Sequence, residues 1–494
     1  MTLHHFTPRR HFAAPIALLT LLIAGGCSST APPAPNLPQT PAAFKETDTR
    51  LVNAVAAEAQ PRGAWWKVFA DAQLDELIDT AMQGNTSIQL AAARLTKARA
   101  LIGAAEANRL PQVNANGGFN RQGGPLINAA GGSGNLWTLS AGASYEADVF
   151  GRLAKEVNAA TLDAASREAL LQSAGLIVQA DVAQAYFGIR LLDTERALLR
   201  DTLHSYRETL RVTERRYTMG SVAELEVVRL RVDVATAQAD VLALDRRRAE
   251  LEHALAALLG QVASSFSLDE TSVHDWQAAL PVIPAGIPST VLARRPDIAA
   301  AQRTVLASQA RLGLAKTAWF PSVSLTTAQG FASPNLRDLI AIASRAYGLG
   351  ALLSLPLFDG GRKQAAVQGA GADLEVSVAG YREQILVAFK EVEDQLSSLR
   401  LLTDQAQAQS SAVAAASRAT ALANSRYNSG LASQLELLDT QRSELRNRRQ
   451  ALQVNLLQYQ STVGLIRALG GGWGAVEDGA DRPERVTQDD TARR

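Results

Sequence analysis

The sequence predicts an α+β membrane protein made of two internal repeats, each carrying a β-hairpin at the end of long coiled-coil helices. Three observations carry that prediction. One offset relates three motifs spread along the chain. Two segments in each repeat alternate residue by residue, as strands do. Two stretches keep a three-four apolar spacing over lengths that no compact domain holds.

The offset is 210. Leu110-Pro111-Gln112-Val113 matches Phe320-Pro321-Ser322-Val323, and Arg216-Tyr217-Thr218-Met219-Gly220 matches Arg426-Tyr427-Asn428-Ser429-Gly430. Ala257-Leu258-Leu259-Gly260 falls on Arg467-Ala468-Leu469-Gly470. Repeat one is expected over 76–275 and repeat two over 286–470, joined by a Pro-rich linker at 276–285. Before them, 27–75 holds an extended tether with Pro32, Pro33, Pro35, Pro38 and Pro41. Residues 471–494 are Gly-rich and then charged, which fits a flexible tail.

Residues 87–109 are Ala-rich and stop before Pro111, as a helix does. The period then changes. Trp137, Leu139, Ala141, Ala143, Tyr145, Ala147 and Val149 alternate with Thr138, Ser140, Gly142, Ser144, Glu146 and Asp148. Val113, Ala115, Gly117 and Phe119 alternate with Gln112, Asn114, Gly118 and Asn120, and a Gly/Asn loop at 121–135 joins the two as a hairpin. Repeat two shows Val323, Leu325 and Thr327, then Tyr347, Leu349, Ala351, Leu353, Leu355 and Leu357. Each segment has the roughly 9–11 residues that a tilted membrane strand needs. The same alternation fits a half-buried sheet packed on a helix, so the helices must decide.

From 152 to 216 there is no proline. Val178, Val182, Ala185, Ile189, Leu192, Leu199, Leu203, Tyr206 and Leu210 step by fours and threes, with Arg196 at the skipped position. Leu225, Val228, Val232, Ala235, Ala239 and Leu242 continue the rule after the turn. Repeat two carries it as Leu435, Leu438, Leu445, Leu452, Leu456, Tyr459, Val463 and Ile466, with Arg442 and Arg449 at seam positions. This is a coiled-coil seam. About 65 residues at roughly 1.5 Å each make a rod close to 100 Å long. The turns at 218–221 and 428–430 fold each pair of rods into a hairpin. Four strands then lie at one end of a helical bundle. Four strands cannot close a membrane barrel, so copies of the chain must pool theirs.

The first residues set the compartment. Arg9 and Arg10, an apolar run from Ala13 to Ala24 and small residues before Cys27 read as a secretory signal over 1–26. Cys27 is the only cysteine, so it has no disulfide partner within the chain. Ile23-Ala24-Gly25-Gly26-Cys27 resembles a bacterial lipobox, which implies acylation of Cys27, and Ser28 fits an outer-membrane destination. The balance of 49 Lys+Arg against 48 Asp+Glu argues against nucleic-acid binding. Arg246-Arg247-Arg248 and Arg446-Asn447-Arg448-Arg449 read as solvated or inter-helix groups. His204, His253 and His274 have no second His or Cys at ligand spacing, and there is no Walker loop or nucleophile elbow. No metal, cofactor or catalytic site is expected.

Three blocks carry a family resemblance. Trp65-Trp66-Lys67-Val68-Phe69 with Leu74-Asp75-Glu76-Leu77-Ile78 resembles the opening of TolC-like outer-membrane efflux lipoproteins of the OprM/NodT type. Arg294-Arg295-Pro296-Asp297-Ile298 leading to Ala315–Ser322, and Leu355-Pro356-Leu357-Phe358-Asp359-Gly360-Gly361-Arg362, resemble later blocks of the same family. The resemblance covers roughly 60–470. It implies a homotrimer with a 12-stranded outer-membrane β-barrel, continued by a periplasmic α-helical barrel. It implies a passive, lipid-anchored efflux channel that extends into the periplasm. Its partners would be the lipid bilayer, a periplasmic adaptor and an inner-membrane pump of the RND type. Gly430 falls on the family's hairpin-turn glycine. Glu436 and Asp439 then fall on positions of acidic rings at the periplasmic aperture, and Tyr427 on the tyrosine that ties neighbouring coils shut. Ala432 stands where the family often has a gate arginine. Tyr217, Gly220, Tyr427 and Gly430 mark the tips that an adaptor would contact. Two other readings stay open: the outlet of a one-step protein secretion system, and a coiled-coil lipoprotein scaffold.

Overall fold

The computed structural model describes residues 41–46, 63–123, 133–270, 280–281, 283 and 294–471. Cys27, the signal, the tether, most of the linker and the tail after 471 lie outside the described residues.

The repeat is visible in the helices. α1 (Ala72–Gly84) and α2 (Thr86–Ala107) lead into β1 (Gln112–Gln122) and β2 (Gly134–Ala147). α3 (Arg152–Thr218) and α4 (Glu224–Leu258) complete the first half. The second half repeats α2 to α4 as α5 (Pro296–Thr317), β3 (Ser322–Ser333), β4 (Arg345–Ser354), α6 (Arg362–Asn428) and α7 (Gln434–Ala468). α2 and α5 have 22 residues each, α3 and α6 have 67, and α4 and α7 have 35. Every pair starts 210 residues apart.

α3 and α6 are single rods of about 100 Å. The returning rods are composite, where the apolar spacing predicted one long helix. Asn85 caps α2 by accepting from the Ser87 and Ile88 N–H groups, and its Nδ2 donates to Leu258 O, at the end of α4, at 2.7 Å. At the matching place in repeat two, Arg295 Nη1 donates to Ala468 O, at the end of α7, at 3.0 Å. One side chain thus ties the carbonyl end of a 35-residue helix to the start of a 22-residue helix. A rod continues from the turn to the strands although its chain breaks at the equator.

α3 buries its predicted stripe: Val178, Val182, Ile189, Leu192, Leu199, Leu203 and Tyr206 are all buried. α4 corrects the expectation. It packs on α3 through Val227, Leu230, Ala237, Val241 and Leu244. The stripe named from the sequence stays open, with Leu225 56%, Val228 44%, Val232 60% and Leu242 59% exposed. The seam arginines are paired with carboxylates beyond their own helices. Arg196 meets Asp245 and Glu270, Arg442 meets Asp233 at 2.6 Å, and Arg449 meets Glu195 at 2.7 Å.

The four strands form one antiparallel sheet in the order β1-β2-β3-β4. The register places odd-numbered residues opposite odd-numbered ones across all three pairings, including Phe119↔Trp137, Leu139↔Phe331 and Tyr145↔Leu325. Even-numbered residues share the other face, among them Asn114, Ser140, Thr326 and Ser354. A Cβ on Gly330 would lie 2.2 Å from Leu139 O, and one on Gly350 would lie 2.9 Å from Thr326 Oγ1. Glycine at these even-face positions is what lets the neighbouring strand come that close.

Candidate functional site

Three places on this frame hold chemistry that the fold alone does not explain: the sheet, the helix tips and the equator.

The odd face of the sheet is apolar and exposed. Val113 is 75% exposed, Tyr347 91% and Leu349 88%. Phe119 and Trp137 pack at 4.4 Å between ring centroids near the hairpin ends. Tyr145 lies eight residues along β2, about 25 Å away at roughly 3.3 Å per residue. Phe150 stacks on Phe320 at 5.1 Å where strands meet helices. Aromatic groups thus flank an apolar band, as they do at the two interfaces of a bilayer. The even face carries mostly Gln, Asn, Ser, Thr, Gly and Ala, which suit water better, with Leu136 and Leu352 as its large apolar groups. Among the described residues neither β1 nor β4 has a partner on its outer edge.

At the far end, each long helix stops on a left-handed glycine. Gly220 has φ +71° and Gly430 φ +72°. Ser221 N–H donates to Arg216 O, and Leu431 N–H to Arg426 O, each at 2.8 Å. These are Schellman turns, and they need a residue without Cβ at that φ. Near the tip, three side-chain contacts among the described residues cross from one hairpin to the other. Arg216 Nη1 donates to the Tyr427 hydroxyl at 3.1 Å, Gln434 Nε2 donates to Thr213 Oγ1 at 2.9 Å, and Arg442 forks onto Asp233. Glu436 accepts from Arg426 at 3.0 Å, within its own hairpin. Asp439 is exposed and has no ion-pair partner among the described residues. The structure therefore brings Tyr427, Glu436 and Asp439 to one tip, with Tyr217, Gly220 and Gly430 at the turns. Sequence reasoning missed Arg216, Thr213 and Gln434. The repeat offset pairs Arg216 with Arg426, but nothing local shows that only Arg216 crosses over.

At the equator, Trp65, Trp66 and Phe69 are buried against Phe187 and Tyr459, with 4.8 Å between the Phe69 and Phe187 rings. Beside them lies a buried charge cluster. Asp193 accepts from Arg190 and Arg196 at 3.3 Å and from Arg248 at 2.6 Å. Arg190 also donates to Asp269 O and to Gln73, and Arg248 to Leu268 O. Arg190 lies over the Tyr186 ring, whose hydroxyl donates to Asp71 at 2.7 Å. Burial above all pushes the Tyr186 phenol up to about 12, so it remains a donor. In repeat two, burial pushes the Asp297 carboxyl up, but Arg295, the Ile298 N–H and Gln384 together hold it below the usual carboxylate range. The basic runs divide: Arg248 joins this cluster and Arg449 meets Glu195 on another helix, whereas Arg246 and Arg448 pair with Glu250 and Glu444 on their own helices.

The model of the outer membrane efflux protein family matches residues 77–261 and again 287–471, one match per repeat. This chain belongs to that family. The efflux protein is 31% identical over 469 residues to the cation efflux system protein CusC of Escherichia coli O6:H1, covering 93% of this chain and 99% of CusC. It is 32% identical over 468 residues to the antibiotic efflux pump outer membrane protein ArpC of Pseudomonas putida, covering 92% and 94%. Its fold superposes on the outer-membrane channel OprN with a TM-score of 0.81 at 29% identity, over 90% of this chain and 99% of that one. The efflux protein belongs to the outer membrane, and its helix-rich fold is that of outer-membrane efflux channels.

Proposed function

We propose that three copies of this chain form a passive exit channel. Their twelve strands close a barrel in the outer membrane, and their rods continue it as a periplasmic tunnel. An acyl group on Cys27 anchors each copy. A periplasmic adaptor grips the tips around Tyr217, Gly220, Tyr427 and Gly430, and an inner-membrane pump of the RND type supplies the energy. The observation that carries this reading is the two-faced sheet with two open edges. Its apolar face needs lipid, its more polar face needs water, and its unpaired N–H and C=O groups need another copy. The relatives' names range from cation to antibiotic efflux, and a lining of small polar side chains fits small solutes of many kinds. Purified protein in planar bilayers is expected to conduct ions as heat-resistant trimers. A non-conducting monomer would sink the proposal.

The tip supplies the gate in this reading, around Tyr427, Glu436 and Asp439. The two acids are not equivalent. Arg426 already neutralises Glu436, whereas Asp439 presents a free carboxylate on an exposed helix face. A ring of three Asp439 side chains would therefore hold cations at the aperture. Asp439→Asn is expected to relieve block by divalent cations, and Glu436→Gln to change it less. Equal effects in single-channel recordings would remove the distinction.

A further inference from the structure

The four strands end their apolar rows alike, with one difference. Towards the hairpin loops, the last large apolar residue of each odd row is aromatic: Phe119 on β1, Trp137 on β2, Phe331 on β3 and Tyr347 on β4. One step further out, the inner strands β2 and β3 carry the neutral groups Asn135 and Ser333. The outer strands β1 and β4 carry Arg121 and Arg345 instead. Both arginines stand on the apolar face, opposite Asn135 and Phe331 in the ladder. Both are exposed, and neither side chain has an ion pair or hydrogen bond among the described residues. A lipid-facing strand tolerates charge only near the interface. The order aromatic, then arginine, fits that depth: rings at the edge of the hydrocarbon and guanidinium groups among the head groups.

We infer that Arg121 of one copy and Arg345 of the next form a binding site for the phosphorylated head group of an outer-leaflet glycolipid. In the proposed barrel β4 of one copy adjoins β1 of the next, so the two unpaired arginines come to one seam. The repeat gives their spacing. Leu139 pairs with Phe331 inside the chain. Shifted by the offset of 210, that pairing sets Leu349 against Arg121 of the next copy. Arg345 then lies four residues further out on β4, roughly 13 Å along the strand. Two long side chains can reach towards each other over that gap and hold between them a head group with more than one phosphate.

The charge is confined to this seam. At the matching seam inside the chain, the counterparts of Arg345 and Arg121 are Asn135 and Phe331, both uncharged. The hairpin ends also lack acids that could neutralise the pair. Over 119–137 and 329–347 the sequence has three arginines, Arg121, Arg337 and Arg345, against the single acid Asp338. Without an anion, the seam would hold like charges near each other on the face that meets lipid. Phosphate supplies the missing charge, and Arg is the side chain that grips it with paired donors.

This inference rests on the barrel of the proposed function. Its test titrates the purified trimer in detergent with diphosphoryl lipid A and counts bound lipid by native mass spectrometry. Arg121→Gln with Arg345→Gln is expected to weaken binding roughly tenfold or more. Each single variant should lose part of that, which keeps the test available if the double variant fails to assemble. Arg337→Gln removes the same charge from an exposed loop position outside the rows and should bind as wild type does. As a second measurement, the lipid should raise the temperature at which the wild-type trimer dissociates and leave that of the double variant unchanged. Conductance of the double variant in bilayers free of lipid A should match wild type, since neither arginine lies on the polar face. Unchanged affinity in the arginine variants, an equal loss with Arg337→Gln, or a changed conductance would overturn the site and leave the barrel standing. Displacement of the lipid by inorganic phosphate at equal concentration would overturn the lipid as its ligand. A wild-type protein that is monomeric would overturn both the site and the proposed function.

Discussion

Asp193→Ala is expected to destabilise the equator by roughly 3–5 kcal/mol, the usual cost of breaking a buried ion pair from one side. The Asp193 side chain is 3% exposed and accepts from three arginines, two of which, Arg190 and Arg248, lie 1% and 10% exposed. With the carboxylate gone, Arg190 keeps a backbone carbonyl and Gln73, and Arg248 keeps Leu268 O and Glu252. Their charge then sits in a dry site without its central counter-ion. Those same bonds hold the segment around Leu268 and Asp269 against α3 and α4, so the loss should spread to that segment. Thermal and denaturant unfolding, followed by circular dichroism, would show an earlier midpoint. Asp193→Asn keeps an acceptor without the charge, so it should fall between alanine and wild type. An unchanged midpoint for Asp193→Ala would mean that the cluster is hydrated and adds little.

That cluster also shows what the sequence could and could not carry. Arg196, Arg442 and Arg449 were visible as interruptions of an apolar spacing, which places them on the seam face. Their partners were not visible, because Asp245, Asp233 and Glu195 sit on other helices, and no local pattern encodes a contact between helices. α3 and α6 were legible because one uninterrupted stripe fixes both the helix and its buried face. α4 was legible as a helix but not in its orientation. It carries two apolar stripes, and the chain alone covers only the one through Leu230 and Val241. The composite rods were hidden for a related reason. α2 and α4 are far apart in sequence, and the single bond from Asn85 to Leu258 O that aligns them looks like an ordinary helix cap. The alternating strands were clear, since a two-residue period admits little else, but the β2–β3 pairing was not. It joins hairpins from different repeats, and only the shared odd-even register, with Tyr145 opposite Leu325, reveals it. At the tip, the repeat located Gly220 and Gly430 through the φ that their turns require, whereas the crossing of Arg216 to Tyr427 breaks the repeat and so escaped it.

That crossing bond has a large expected effect of its own. In the proposed channel it ties the two hairpins of each copy together at the narrow end, where Ala432 leaves no arginine to do so. Tyr427→Phe removes one hydroxyl and no bulk. A hydrogen bond from a charged donor at a half-buried position contributes roughly 1 kcal/mol after screening. Three copies acting together would contribute about 3 kcal/mol, which shifts the balance of closed and open tips roughly 100-fold. Tyr427→Phe should therefore raise open probability in single-channel recordings, and Arg216→Ala should do the same. Since both remove one bond, the double variant should open hardly more than either single one. Additive effects would place the two residues in separate contacts. No change with Tyr427→Phe would shift the restraint to the buried Gln434–Thr213 bond and to the Arg442–Asp233 fork, which lie on the same side of the tip and would then hold the hairpins together without the tyrosine.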